Sequence, residues 1–359
     1  MRPIFDRVVR ASPWAGFVRD FACATLILAL AAWAFNVLVD PYGANPLRLT
    51  FARPLMDINQ RFMYPQVLRS GEFDSAIFGT STIRLLKPSD LEKAFGGHFA
   101  NFGMNAATPF EQDEAARLYV AHTPNLRTLI WGIDPSWCQP DADAPEKLLT
   151  ERAFPPWLYD GNPWASIPHL FNLRTLEIAA RVVLNRLGLM KPRLPRDGYE
   201  VFTPPETSYD LARAREHIFG GTPRPMVPGD VAAQQGGVAN PEGRHPALDW
   251  LDATLGKLPP DARVVLMFPP VHVANQPVAN SSDAALEATC KQRIARIAKE
   301  HRGITVDFRF ASPITSDDAN YWDALHYRLP IARRVVESLA DAAKGERKGE
   351  MYRVIEPAL

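Results

Sequence analysis

Residues 75–84 read SAIFGTSTIR. Ser75 to Phe78 is a short uncharged run, the composition of a strand buried on both faces, and Gly79-Thr80-Ser81 is a small-residue turn directly after it. Working outward, the same unit recurs. Phe99 to Phe102, Leu126 to Ile133 (LRTLIWGI), Arg263 to Phe268 (RVVLMF) and Ile304 to Phe308 read as further strands. Helical stretches separate them. Ser89 is placed to cap a helix through Ala94. Pro109 to His122 opens on proline, with Glu111, Asp113 and Glu114 near its positive end. Ala284 to Glu300 follows, and a last helix runs from about Arg328 to Lys344. Strands alternating with helices predict an α/β fold whose parallel sheet is covered on both faces. Ligands of such sheets bind beyond the carboxyl ends of the strands.

Residues 21–39 (FACATLILALAAWAFNVLV) carry no charge. As a helix they span about 28 Å, close to the hydrocarbon thickness of a bilayer. Arg2, Arg7, Arg10 and Arg19 precede the run, with Asp6 and Asp20, and only Arg48 and Arg53 follow nearby. The positive-inside rule then puts residues 1–20 in the cytoplasm and the rest outside. Two plainer readings stand beside the anchor. Ala29-Leu30-Ala31 resembles a signal-peptide cleavage site, and a buried core helix has the same composition. Asp40-Pro41-Tyr42-Gly43 ends the helix. Residues 40–70 read as a linker, 71–345 as the main domain, 138–245 as a Pro- and aromatic-rich insertion with a helix near Leu173 to Leu187, and 346–359 as a loose tail.

Lys+Arg and Asp+Glu both total 40, and no basic run of nucleic-acid type is present, so no nucleic-acid partner is expected. No cofactor motif and no Cys/His spacing for a metal is found. Of three cysteines, Cys23 lies in the apolar run. Cys138 and Cys290 are free to pair in an oxidising compartment, but spacing does not say whether they meet.

Two motifs carry chemistry. Ser81 sits at a strand end, where a turn exposes a hydroxyl and offers backbone N–H groups; a serine needs a neighbouring base to become a nucleophile. Asp323-Ala324-Leu325-His326 precedes the last helix. Histidine is a general base near neutral pH, and a carboxylate on its other nitrogen fixes the tautomer. Each has a bland alternative: an ordinary small-residue turn, or a helix cap beside a surface histidine.

Together, and in this order, they resemble the SGNH hydrolase superfamily over roughly residues 70–135 and 260–345. The resemblance implies a three-layer, flavodoxin-like doubly wound sheet with Ser81 as nucleophile, His326 as base and Asp323 as its orienter. Asn101-Phe102-Gly103-Met104-Asn105-Ala106 resembles the oxyanion block, with the backbone N–H of Ala106 at the usual glycine position and Asn105 as an additional donor. The third block, Trp131-Gly132-Ile133-Asp134, has Ile133 where the family's second donor, an asparagine, stands. Loss of one such donor costs roughly 2.7–4 kcal/mol of transition-state stabilisation. The N-terminal anchor, DPYG, GTS, NxG and late DxxH also resemble membrane-anchored bacterial envelope proteins of alginate O-acetylation and teichoic-acid D-alanylation. That implies a single-pass protein of the bacterial inner membrane with its catalytic domain periplasmic or extracellular. Its expected activity is acyl, foremost acetyl, transfer to, or ester hydrolysis on, a cell-envelope polysaccharide or other acylated glycan, with an integral-membrane acyltransferase as a further partner.

Three more residues are candidate substrate contacts. Arg84 suits a carboxylate or phosphate, or an ion pair at the helix start. His272, after the fourth strand, meets substrate or finishes a loop. Trp322, like Trp131 and Trp137, stacks on a sugar or packs in the core. The reading from another class is a catalytically weak, membrane-anchored scaffold or polysaccharide-binding protein, and Ile133 is its best support.

Overall fold

The computed structural model describes residues 13–46, 53–220 and 243–357; Arg2, Asp6, Arg7, Arg10 and Arg48 lie outside them. At the centre is a six-stranded mixed sheet in the order β2-β1-β3-β4-β5-β6. β1 (Ser75–Gly79), β2 (Phe99–Gly103), β3 (Thr128–Gly132), β4 (Arg263–Phe268) and β5 (Ile304–Asp307) are mutually parallel. β6 (Arg353–Ile355) pairs antiparallel with β5. The expected all-parallel sheet therefore holds only for the first five strands. The expected tail supplies the sixth, because the buried carboxylate of Asp307 draws in Arg353, which donates to it twice at 3.0 and 2.8 Å.

The strands are apolar because helices cover both faces. Alternation sends Ala76, Phe78, Leu129, Trp131 and Leu266 into one core and Ile77, Ile130, Val265 and Met267 into the other. The first core is closed by helices Pro109–His122, Pro246–Leu255 and Ser282–Glu300, the second by Pro88–Phe95 and Leu329–Ala343. Helix Pro109–His122 has its expected bounds because Thr108 and Glu111 form a capping box ahead of Pro109. Ser89 is not a cap: Pro88 already opens that helix, and Lys87 stands at the N-cap without a side-chain bond. The helix Pro246–Leu255, which crosses from β3 toward β4, and Leu211–Phe219 in the insertion add to the elements expected from sequence.

The apolar helix α1 runs from Pro13 to Val39 and is long and apolar enough to cross a membrane. Its last turns are fastened to the insertion. Trp33 Nε1 donates to the Ile167 carbonyl at 3.2 Å and Asn36 Nδ2 to that of Leu170 at 2.8 Å. Just past the helix, Asp40 accepts from the Ala44 and Asn45 amides and pairs with Arg53 at 3.0 Å. The described part of the expected linker is no loose strap: Leu55, Met56, Met63, Tyr64 and Leu68 are buried in the first core.

Cys138 and Cys290 form a disulfide, tying the exit of β3 to helix Ser282–Glu300 across 152 residues of chain. Closing a loop of that length in the unfolded chain is worth about 5 kcal/mol in the chain-entropy model. Reduction, or the pair Cys138→Ser and Cys290→Ser, is expected to lower the midpoint of thermal unfolding by roughly 10 °C. Melting curves that coincide with and without reductant would show that the bond contributes nothing.

Candidate active site

β1 ends at Gly79, and Thr80 begins a single 3-10 turn, Ser81–Ile83. What seats this turn on the sheet is Ile83. Its side chain lies over the carboxyl ends of three neighbouring strands, each ending in glycine. A Cβ at Gly79 would stand 2.8 Å from Ile83 Cγ1, at Gly103 2.6 Å from Cδ1 and at Gly132 2.4 Å from Cγ2. All three separations are closer than carbon atoms approach without displacement. The glycines thus make a cradle, and filling it fixes the height of Ser81 above the sheet.

The residues on either side of Ser81 are also held. Asp134, at the end of β3, accepts from Thr80 Oγ1 at 2.8 Å and from Thr82 Oγ1 at 3.2 Å. Burial raises the pKa of this carboxyl, opposed by the Arg309 guanidinium and the two hydroxyl bonds. The Tyr327 hydroxyl donates to the Thr82 carbonyl at 2.5 Å. Tyr327 is the neighbour of His326, so this bond ties the serine turn directly to the histidine turn.

Asp323 shapes that second turn. One oxygen accepts from the Leu325 and His326 amides at 2.7 and 2.8 Å. The other lies 2.8 Å from His326 Nδ1. An ionised carboxylate only accepts, so Nδ1 carries the proton and Nε2 is left as an acceptor. Ser81 Oγ stands 2.8 Å from that Nε2. Burial pushes the Asp323 carboxyl up, but the bond and charge of His326 and the two amides outweigh it and leave it below the ordinary value. Ser81, Asp323 and His326 are all half-buried, so the relay is open to solvent on one side.

The other expected residues separate into two groups. Ala106 is exposed in the loop after β2 and is one of few non-glycine residues with positive φ, at 50°. That conformation costs an L-residue roughly 1–2 kcal/mol, which a glycine in its place would relieve. Asn105 beside it has its Oδ1 taken by Arg84 Nη1 at 2.7 Å, which leaves the amide nitrogen as its free, donating end. Ile133 is fully buried and offers no polar group at the third-block position.

Arg84 itself is buried, paired with Glu200 and covered by the Phe202 ring, 4.9 Å from its guanidinium carbon. It orients Asn105 and does not present its charge to solvent. His272 is likewise buried: Nδ1 accepts from the Ala274 amide at 3.1 Å, so Nε2 bears the proton and donates to Asp318 at 3.1 Å. With both nitrogens engaged and its amide bonded to the Ala324 carbonyl, His272 props the Asp323–His326 loop. Trp322 packs edge-on against Tyr209 and is half-buried at the same rim, while Trp131 and Trp137 are core residues.

No protein-family model and no curated protein sequence matches the chain.

The insertion supplies contacts that its sequence did not announce. Phe202 meets the His326 ring edge-on at 5.3 Å, and Glu206 holds Arg328 through two bonds to one oxygen at 2.8 and 2.6 Å. Segment 199–209 has neither helical nor strand periodicity, and its partners are more than a hundred residues away. The glycines at the ends of β1, β2 and β3 were a usable signal, since three of them at strand ends imply a common intruding side chain.

A double-mutant cycle tests the cradle. Gly132→Ala is expected to cost about 1–3 kcal/mol through overpacking, and Ile83→Ala about 2–5 kcal/mol through the cavity it leaves. In the double variant the new methyl has room, so the combined cost should fall short of the sum of the two single costs by at least about 1 kcal/mol. Strict additivity in chemical denaturation would mean that Ile83 does not sit against Gly132.

Proposed function

We propose that the chain is a membrane-anchored serine acyl-transfer enzyme of the SGNH type, working outside the cytoplasm on an acylated envelope glycan. The observation that carries this reading is the Ser81–His326–Asp323 relay, two contacts of 2.8 Å at the carboxyl edge of the sheet. The strand order 2-1-3-4-5 supports it, being that of doubly wound folds whose ligands bind where the order reverses, here between β1 and β3. The apolar α1 supports an anchor. A long-range disulfide fits an oxidising compartment.

In this mechanism Ser81 Oγ attacks the acyl carbonyl as its proton passes to His326 Nε2, and Asp323 stabilises the imidazolium. The tetrahedral oxyanion accepts from the Ala106 N–H and the Asn105 amide, whose donating end Arg84 has set. Collapse breaks the ester C–O bond, and the departing alcohol takes the proton from His326. The acyl–Ser81 ester is then attacked by a second hydroxyl, deprotonated by His326, and Ser81 recovers its proton as the new ester or acid leaves. A sugar hydroxyl as acceptor makes the enzyme a transferase and water makes it an esterase; anchoring beside an integral-membrane acyl donor favours transfer. Asn105 stands in for the donor that Ile133 does not provide.

A fluorophosphonate probe is expected to label the parent and to fail on Ser81→Ala and His326→Ala. Asp323→Asn should lower acyl turnover by about 10²–10⁴. Asn105→Ala should lower kcat by about 10²–10³ with little change in KM. Labelling that survives Ser81→Ala ends the serine mechanism. A purified protein that binds glycan, resists the probe and complements fully in cells as Ser81→Ala would instead be the scaffold that buried Ile133 favours.

A further inference from the structure

The insertion carries an apolar surface that the soluble core does not use. Trp164, Phe171, Leu173, Leu187 and Leu189 are each between 59% and 83% exposed. Isolated exposed leucines need no explanation, but these lie on the segments that grip α1. Trp164 and Phe171 bracket the Ile167 and Leu170 carbonyls that accept from Trp33 and Asn36. Leu173 opens the helix Leu173–Arg186, which packs against α1, and Leu187 and Leu189 follow its end.

The depth of these contacts is set by charge. Arg19 and Asp20 are exposed on α1 and pair with one another. A charged side chain in the hydrocarbon centre costs at least about 2.5–3.5 kcal/mol, so the span begins after Asp20. Counting from Asp20, Trp33 lies about 20 Å and Asn36 about 24 Å along the helix, against a hydrocarbon thickness of about 30 Å. Both residues are then about 6–10 Å short of the outer edge of the hydrocarbon, and tilt of the helix only deepens them. The opposite register, with the insertion wholly in water, buries the Arg19–Asp20 pair and leaves the five apolar side chains facing solvent.

We infer that the insertion is itself immersed in the outer leaflet of the bilayer, with Trp164, Phe171 and Leu173 among the acyl chains. This rests on the reading of α1 as a membrane span. The depth agrees with the 5–10 Å typical of interfacial amphipathic segments, and tryptophan is a preferred residue at that level. Lys191 and Arg193 line the same recess as Gly43, Ala44 and Trp164, just past the end of α1. There they face anionic headgroups.

The test uses the full chain in phosphatidylethanolamine–phosphatidylglycerol vesicles, labelled with an environment-sensitive thiol probe. The native Cys23, exposed on α1, reports the span. Leu173→Cys and Lys344→Cys, each in a Cys23→Ser background, report the insertion and an exposed site on the helix layer of the opposite core. A nitroxide at the shallow end of the acyl chain should quench the position-173 probe at least about twofold, with aqueous iodide about fivefold less effective there than at position 344. If Cys23 is quenched by lipid nitroxides while iodide reaches positions 173 and 344 equally, the span stands and the immersion is overturned. If Cys23 is also untouched by lipid nitroxides, the span falls and the immersion with it.

Discussion

The whole candidate active edge depends on how closely Ile83 approaches three backbones at once. β1, β2 and β3 end level with one another, since Gly79 pairs with Gly103 and Phe78 with Trp131 in register. Only glycines at those ends let one branched side chain drop between them. The serine turn is therefore positioned by core packing, the most rigid constraint available to a protein. Its hydroxyl needs no hydrogen bond of its own to be held in place. That would matter for the nucleophile proposed above, whose hydroxyl proton must remain free to move to the base.

Two carboxylates flank this turn and their surroundings divide the work between them. Asp134 is buried beneath the serine, where desolvation raises its pKa, and it spends both oxygens on the hydroxyls of Thr80 and Thr82. Asp323 is half-buried at the rim and is held below its ordinary value by the imidazole and two amides. The deeper group suits a fixed scaffold. In the proposed mechanism, the rim group suits stabilisation of an imidazolium that appears only during reaction. Tyr327 joins the two systems, since the bond from its hydroxyl to the Thr82 carbonyl crosses 245 positions of chain. The serine turn and the histidine turn are thus directly joined.

Much of this was legible in the sequence, and what was not has definite physical causes. Buried parallel strands announce themselves as short uncharged runs, so β1 to β5 were readable. Local chemistry was readable as well: Pro109 and Glu111 mark a helix start, and DxxH closes its own turn. The roles of Arg84 and His272 were not readable, because an arginine facing substrate and one paired with a glutamate look alike until Glu200 is placed. The part played by Asp134 was not readable either, because its partners lie 52 and 54 positions away. β6 is three residues long and follows a charged stretch, too short for periodicity to register. Whether Cys138 met Cys290 depended on a helix packing against the exit of β3, a relation of tertiary structure alone.

The insertion links the two halves of the molecule that sequence reading kept apart. Near residue 170 it holds α1, and near residue 202 it packs on His326 and Arg84. Residues 53–70 are built into the core, and Asp40 locks the helix exit through Ala44, Asn45 and Arg53. An active site on a flexible tether samples all heights above a bilayer, but one braced this way holds a single height and orientation. Under the acyl-transfer function proposed above, with a membrane-embedded donor, such bracing would raise the effective concentration of donor at Ser81 without any new contact between the two proteins. The proposed transferase would gain from that restriction, because a soluble acceptor would reach the open rim by diffusion while a membrane-embedded donor would stay at one height.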